Sequence, residues 1–338
     1  MSKKIYVAYT GGTIGMVLTD KGYVPTNNLL ELLLKKLPEA TLAQLPAFDL
    51  FEYPLLIDSS NIQPAHWQVI AADISNRYEQ YDGFVILHGT DTMAYTSSML
   101  SFMLQGLGKP VIVTGSQIPL CEPDTDALDN VMGALTVAEQ ETIKEVCLYF
   151  AGRILRGNRS RKIHTSAPAA FDSPNAPWLG TLDTALAVNE ELLWSSKPAT
   201  SFNLACDIAP HAAPVSLFPG ISAKYLSALL DQPFSAFILQ TYGAGNGPDQ
   251  DQSLLKTLSK ATAAGKVIVN VSQCYQGSVS QGVYGTGTAL ADAGLVSACD
   301  TTPEALFCKL HYLLSQGFQS EQVKAAVNTS LCGEVTVQ

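Results

Sequence analysis

The apolar positions of the chain fall into two kinds of run that alternate. Short β-branched runs at residues 5–9, 84–87, 111–113 and 146–150 are separated by longer amphipathic stretches at 66–78, 94–107 and 128–139. A run of four or five apolar residues reads as a strand covered on both faces. Apolar residues recurring every three or four positions read as a helix. Strands alternating with helices predict parallel βαβ units. The rhythm fades over residues 173–213, which hold Pro174, Pro177, Pro198 and Pro210, and then resumes. Strands are expected at 237–241 and 267–271, and helices at 222–230, 253–264 and 303–315. The pattern predicts an α/β protein of two domains. The larger, over residues 1–190, carries a doubly wound, mainly parallel sheet. A linker follows over 191–213, then a smaller parallel α/β domain over 214–338.

Composition narrows the picture. The 338 residues exceed the size at which one hydrophobic core stops growing, which also argues for two domains. Charged residues make up only 15%, so a homo-oligomer that buries surface between copies is expected. The net charge of -10 sets the surface against nucleic-acid phosphates. No polybasic stretch suggests a membrane anchor. The seven cysteines (Cys121, Cys147, Cys206, Cys274, Cys299, Cys308 and Cys332) are odd in number and include no Cys-x-x-Cys pair, so neither a disulfide framework nor a zinc site is indicated. Scattered thiols fit a reducing compartment. The apolar stretch after Lys3 and Lys4 is too short for a secretory signal, and no run reaches membrane-spanning length. The expected location is the cytoplasm, with no metal or organic cofactor.

Four segments carry candidate chemistry. Thr10-Gly11-Gly12-Thr13-Ile14-Gly15 follows the first strand, where open parallel sheets bind ligands. On its own it is equally an ordinary glycine turn, and it lacks the spacings of phosphate and dinucleotide loops. His88-Gly89-Thr90-Asp91-Thr92 occupies the same position after another strand, where Asp91 could also cap the next helix. Arg153, Arg156, Arg159, Arg161 and Lys162 place 5 of the 20 basic residues within ten positions. Most of them read as a solvated basic loop, but one lysine entering a site could serve as a base. Asp58-Ser59-Ser60 offers a carboxylate and two hydroxyls, suited to the charged ends of an amino acid or simply to a turn. There is no His-Glu-x-x-His metal pattern and no Gly-x-Ser-x-Gly elbow.

The first two motifs resemble the signature segments of the bacterial-type L-asparaginases. The likeness continues through Val113-Thr114-Gly115-Ser116-Gln117, Arg156-Gly157-Asn158-Arg159, Phe171-Asp172-Ser173-Pro174-Asn175 and Tyr242-Gly243-Ala244-Gly245-Asn246. The Asp58-Ser59-Ser60 segment and the missing signal resemble the cytoplasmic, type I branch. The resemblance implies hydrolysis of the L-asparagine side-chain amide with Thr13 as nucleophile, Tyr23 beside it, and Thr90, Asp91 and Lys162 as a hydrogen-bonded triad. A threonine hydroxyl needs a base to remove its proton, a role Lys162 would fill through Asp91 and Thr90. Backbone N–H groups of the Gly89-Thr90 turn are candidates for stabilising the oxyanion. Asp91 would bind the α-ammonium, and Asp58, Ser59 and Ser60 the α-carboxylate end. The family also implies a dimer of dimers. Two departures stand out. Asp124-Thr125-Asp126-Ala127 replaces an Arg-Ser-Asp-Gly-like segment before Asn130. Gln240 stands where cytoplasmic members with an activating asparagine site have an arginine, while Ser272 and Cys274 fit the rest of that site. Glutamine lacks arginine's charged bidentate grip on a carboxylate, so weakened or absent substrate activation is expected. The rivals are a related amidase acting on glutamine or a tRNA-borne amide, a non-catalytic amino-acid sensor, and a nucleotide-binding α/β protein.

Overall fold

The structure, a computed structural model, describes residues 3–336 except Lys21, Pro38, Ser196, Ile208 and residues 281–284. The chain forms two compact units that divide between Leu204 and Ala205.

The first unit opens with β1 (Lys4–Gly11), a 3₁₀ turn at Thr13–Gly15, and a hairpin of β2 (Met16–Thr19) and β3 (Gly22–Pro25). Helices α1 (Leu29–Lys36) and α2 (Glu39–Leu42) lead to β4 (Ala47–Ile57), α3 (Pro64–Arg77), β5 (Gly83–Leu87) and α4 (Met93–Met103). Then come β6 (Val111–Thr114), α5 (Ala127–Ala138), β7 (Val146–Phe150) and β8 (Arg153–Arg156). Short strands β9 (Arg161–Lys162), β10 (Phe171–Asp172), β11 (Gly180–Leu182) and β12 (Leu186–Val188) complete it.

The eight-stranded sheet runs β12-β11-β8-β7-β6-β5-β1-β4. The five strands from β4 to β7 are parallel, and β8, β11 and β12 add an antiparallel edge. The chain starts inside the sheet, winds out to β4, then crosses back to β5 and proceeds the other way. The direction reverses between β1 and β5, and such switch points open a crevice beyond the strand ends. Both glycine-bearing turns emerge there. Ile5, Val7 and Tyr9 of β1 share one core with Val85 and Leu87 of β5, Ile112 of β6, and Val131, Ala134 and Leu135 of α5. Alternate strand residues turn to the same face, so this core follows directly from the pleat. Each large aliphatic side chain buried here contributes roughly 1.5–3 kcal/mol.

Two features differ from the sequence expectation, and a third, strand β4, had none. Helix α4 stops at Met103 instead of reaching residue 107, because Gly106 adopts φ 83°, which a right-handed helix excludes. Residues 173–213 are not wholly irregular: β11 and β12 pair there, but strands of three residues are too short to show a period. Strand β4 is eleven residues long and lies at a sheet edge, where Pro54 withholds no needed ladder donor.

The second unit contains β13 (Ala212–Ser216), α6 (Ala223–Leu230), β14 (Ala236–Thr241), α7 (Gln252–Ala263), β15 (Val267–Ser272), α8 (Gly285–Asp292), β16 (Val296–Ser297), α9 (Pro303–Ser315) and α10 (Ser320–Val327). Its four strands are parallel and lie in chain order. Phe237 and Leu239 of β14 face Leu226, Leu230, Leu254 and Leu258. Ile238, with Val269 of β15, faces Leu306, Leu310 and Val323. Ser222, Asp251 and Thr302 cap their helices, with Pro303 in the first turn after Thr302. Lys309 and Glu334, both fully buried, pair at 2.6 Å and hold the C-terminal segment against α9.

Candidate active site

The ends of β1 and β5 are tied together by Thr10, whose hydroxyl donates to the Leu87 carbonyl at 2.9 Å. Beyond this bond the two turns approach each other most closely at Gly12 and Gly89. A Cβ on Gly12, which has φ 88°, would lie 2.3 Å from the Gly89 nitrogen. A Cβ on Gly89 would lie 2.5 Å from Ser59 Oγ. Glycine at both positions lets the Thr13, Thr90 and Ser59 segments close on one another.

Thr13 opens the 3₁₀ turn and is half-buried. Its hydroxyl has no hydrogen-bond partner among the described residues. Thr90, Asp91 and Lys162 are brought together as expected. Lys162, on β9, donates to Thr90 Oγ1 at 2.8 Å and to Asp91 Oδ1 at 2.7 Å. The antiparallel pairing of Lys162 with Phe171 of β10 fixes where this lysine sits. Asp91 does not cap α4: the N-cap is Thr92, which makes no side-chain cap bond, and the Asp91 carboxylate belongs to Lys162.

Ser59 is buried and joins the Asp58 segment to the triad. Its hydroxyl accepts from the Asp91 N–H at 3.2 Å, and its carbonyl accepts from Thr92 Oγ1 at 2.7 Å. Asp58 caps the turn that follows, taking the Ser60 N–H and the Ser60 hydroxyl on one oxygen at 2.9 Å each. The turn reading of this segment holds, and Ser59 also links the segment to the triad. An ionised Asp58 only accepts hydrogen bonds, and the Ser60 hydroxyl spends its single hydrogen on it, whereas the Ser59 hydroxyl, which accepts from the Asp91 N–H, keeps a hydrogen to donate to a carboxylate.

Tyr23 lies on the exposed hairpin and gives its hydroxyl to Glu122 Oε1 at 2.7 Å, and this bond pushes its pKa up. Glu122 had no sequence signal of its own. It belongs to a strap that also holds the Thr13 turn, since the Leu120 N–H donates to the Ile14 carbonyl at 3.0 Å. The departing segment anchors this strap. Asp126 accepts from the Gln117 and Ile118 N–H groups, and Asn130 bridges the Gly115 carbonyl and the Ala151 N–H.

The basic cluster is not the solvated loop expected for most of its members. Arg156 forms an ion pair with Glu145 at 2.6 Å, Arg159 is buried, and Arg153 stacks 4.3 Å over Trp178. These guanidinium groups join neighbouring strands and side chains, a use that charge spacing alone does not reveal. His88 was visible only as part of a motif. It is fully buried, and desolvation lowers its pKa to about 4.

In the second unit, Gln240 and Ser272 sit at the carboxyl ends of β14 and β15, and Cys274 follows, exposed. The Gln240 side chain accepts from Ser216, and Ser272 bridges the Gly243 carbonyl and the Cys274 N–H. Among the described residues, no group of three or more His, Cys, Asp or Glu could hold a metal ion, and no helix is long and apolar enough to cross a membrane.

A doubly wound sheet with a Lys–Asp–Thr triad at its switch point, followed by a parallel α/β unit, defines a two-domain α/β protein whose candidate catalytic groups lie on the first unit. The family described as "Asparaginase, N-terminal" matches residues 4–194, and "Glutaminase/Asparaginase C-terminal domain" matches residues 213–327. L-asparaginase 1 of Escherichia coli K12 is 47% identical over 335 residues, spanning 99% of this chain and 98% of that protein. The crystal structure of L-asparaginase I from Vibrio cholerae superposes with a TM-score of 0.91 at 46% identity, covering 99% of this chain and 100% of that one. The thermostable L-asparaginase of Thermococcus kodakarensis gives 0.87 at 31% identity, covering 98% and 99%. The chain belongs to the asparaginase family.

Proposed function

We propose that this protein hydrolyses the side-chain amide of L-asparagine to L-aspartate and ammonia through an ester on Thr13. The observation that carries the reading is the placement of Lys162, Asp91 and Thr90 within 2.8 Å contacts at the switch point. Relatives named L-asparaginase support the substrate.

Thr13 Oγ attacks the amide carbon and gives its proton to Thr90 Oγ1, which passes its own hydrogen to the lone pair of Lys162 Nζ acting as the free amine. The tetrahedral intermediate collapses, the nitrogen leaves as ammonia after taking up a proton, and a β-aspartyl ester remains. Water, deprotonated by the same pair, cleaves the ester to aspartate and restores the Thr13 hydroxyl. Tyr23 closes the hairpin side of the crevice. Asp91 receives the α-ammonium, and the Asp58, Ser59 and Ser60 segment the α-carboxylate end. General-base assistance of this kind is worth about 10²–10⁴-fold in rate.

The protein acts in the cytoplasm as a homo-oligomer assembled as a dimer of dimers, a reading supported by its low charge content and its type I relative. The domain boundaries are proposed at 190 and 214. Gln240, Ser272 and Cys274 form a remnant activating site that binds asparagine weakly or not at all.

Ammonia release from L-asparagine, with L-glutamine in parallel, tests the reading. Saturable release from asparagine supports it. Release mainly from glutamine overturns the substrate, and asparagine binding without release overturns the reaction.

A further inference from the structure

The mechanism above leaves a buried polar chain unused. Trp67 Nε1 lies 3.0 Å from Thr96 Oγ1, Thr96 Oγ1 lies 3.0 Å from His88 Nε2, and His88 Nδ1 lies 2.7 Å from the Gly89 carbonyl. The direction of every bond follows from chemistry. The Gly89 carbonyl only accepts, so Nδ1 carries the hydrogen of the neutral ring and the Thr96 hydroxyl donates to Nε2, while the Thr96 oxygen accepts from the Trp67 indole N–H. His88 Nε2 is then the acceptor, and the ring hydrogen sits on Nδ1, aimed at the Gly89 oxygen. The ring stays neutral because burial lowers its pKa to about 4.

The Gly89–Thr90 peptide, like every described peptide bond, is trans. The carbonyl and N–H of a trans peptide point in opposite directions. A carbonyl drawn into the core by His88 therefore turns the Thr90 N–H the other way. That N–H has no partner among the described residues, whereas the next one along, Asp91 N–H, is taken by Ser59. The Thr90 hydroxyl on the same residue receives Lys162.

We propose that His88 is a positioning residue: held by Thr96 and Trp67, it grips the Gly89 carbonyl and so aims the Thr90 N–H at the oxyanion formed during amide hydrolysis. The proposal rests on the reading of the Gly89–Thr90 turn as the oxyanion site. His88 touches no reacting atom. It acts by preventing the peptide from rotating as charge develops, which keeps the donor preorganised.

Two substitutions separate this role from simple packing. In His88→Asn the side-chain amide nitrogen falls near the position of Nδ1 and still reaches the Gly89 carbonyl. In His88→Gln the amide falls near Nε2 and that contact is lost. Loss of an oxyanion donor costs about 10²–10³-fold in kcat, and a donor left in place but free to rotate costs less. The expected result is a kcat about tenfold or more lower for H88Q, a kcat within a few-fold of wild type for H88N, and an unchanged KM for asparagine in both. Should the buried replacements fail to fold, Thr96→Val removes the relay hydroxyl at constant size and Thr96→Ser restores it. T96V should then lose kcat and T96S regain it. Equal kcat losses in H88N and H88Q, or a loss carried by KM, would overturn the proposal. Those outcomes leave wild-type turnover and the Thr13 ester intact, so they are distinguishable from failure of the underlying reading.

Discussion

Lys162 Nζ stands 2.7 Å from Asp91 Oδ1, on a two-residue strand whose partner strand, β10, lies outside the main sheet. The lysine thus reaches the switch point from a separate piece of backbone, and its removal should disturb chemistry more than folding. Lys162→Met should lower kcat for ammonia release by about 10²–10⁴-fold, the range for losing general-base help. The thermal midpoint should change little. Retention of a tenth or more of wild-type kcat would remove Lys162 from the proton path.

Gln240 bears on regulation. Its side chain is engaged by the Ser216 hydroxyl and carries no charge to offer an α-carboxylate. Initial rates plotted against asparagine concentration should be hyperbolic, with a Hill coefficient close to one. A strongly sigmoidal curve would contradict the reading of this site.

Acid should weaken the fold through two histidines. Burial lowers the pKa of His88 to about 4, and burial with the nearby His211 does the same for His311. Each is neutral in the fold at pH values where the unfolded chain, titrating near 6.5, already binds a proton. Between about pH 6.5 and pH 4 the unfolded state holds more protons, so stability rises with pH and is lost on acidification. Each histidine contributes on the order of 3 kcal/mol across that window. Urea midpoints at pH 7.5 and pH 5 should show the decline, and two imidazole resonances should stay untitrated down to pH 5. Normal titration of all five histidines near pH 6.5 would refute this.

The Lys309–Glu334 pair gives a prediction for the second unit. Lys309 also donates to the carbonyls of Val327 and Thr329, and Glu334 accepts from the Leu331 and Cys332 N–H groups. Lys309→Met would leave a carboxylate buried without its charge partner, at a cost of about 3–5 kcal/mol. Denaturant unfolding followed by circular dichroism measures it. A change below 1 kcal/mol would mean that the segment relaxes and hydrates Glu334.

How far the sequence carries can be read from particular elements. The buried parallel strands were legible because continuous apolar runs such as Phe84 to Leu87 have few other uses, and the smaller parallel sheet emerged for the same reason. The short strand of Lys162 and the β11–β12 pair were not, since two or three residues carry no period. Thr90, Asp91 and Lys162 were nameable from motif and resemblance, and the structure brings them together. Glu122 and the Trp67–Thr96–His88 relay were not nameable. Their roles depend on hydrogen bonds between residues far apart in sequence, such as the 99 positions between Tyr23 and Glu122. The half-buried Arg156 and Arg153 were misread because charge alone does not show that Glu145 and Trp178 wait beside them.

The central claim is the covalent role of Thr13. Acid quenching during turnover of L-asparagine, followed by proteolysis and mass spectrometry, tests it most directly. The account predicts one aspartyl group on the peptide that contains Thr13, with the adduct absent and ammonia release abolished in Thr13→Ala. An adduct on Thr90 instead, or undiminished turnover in Thr13→Ala, would contradict it.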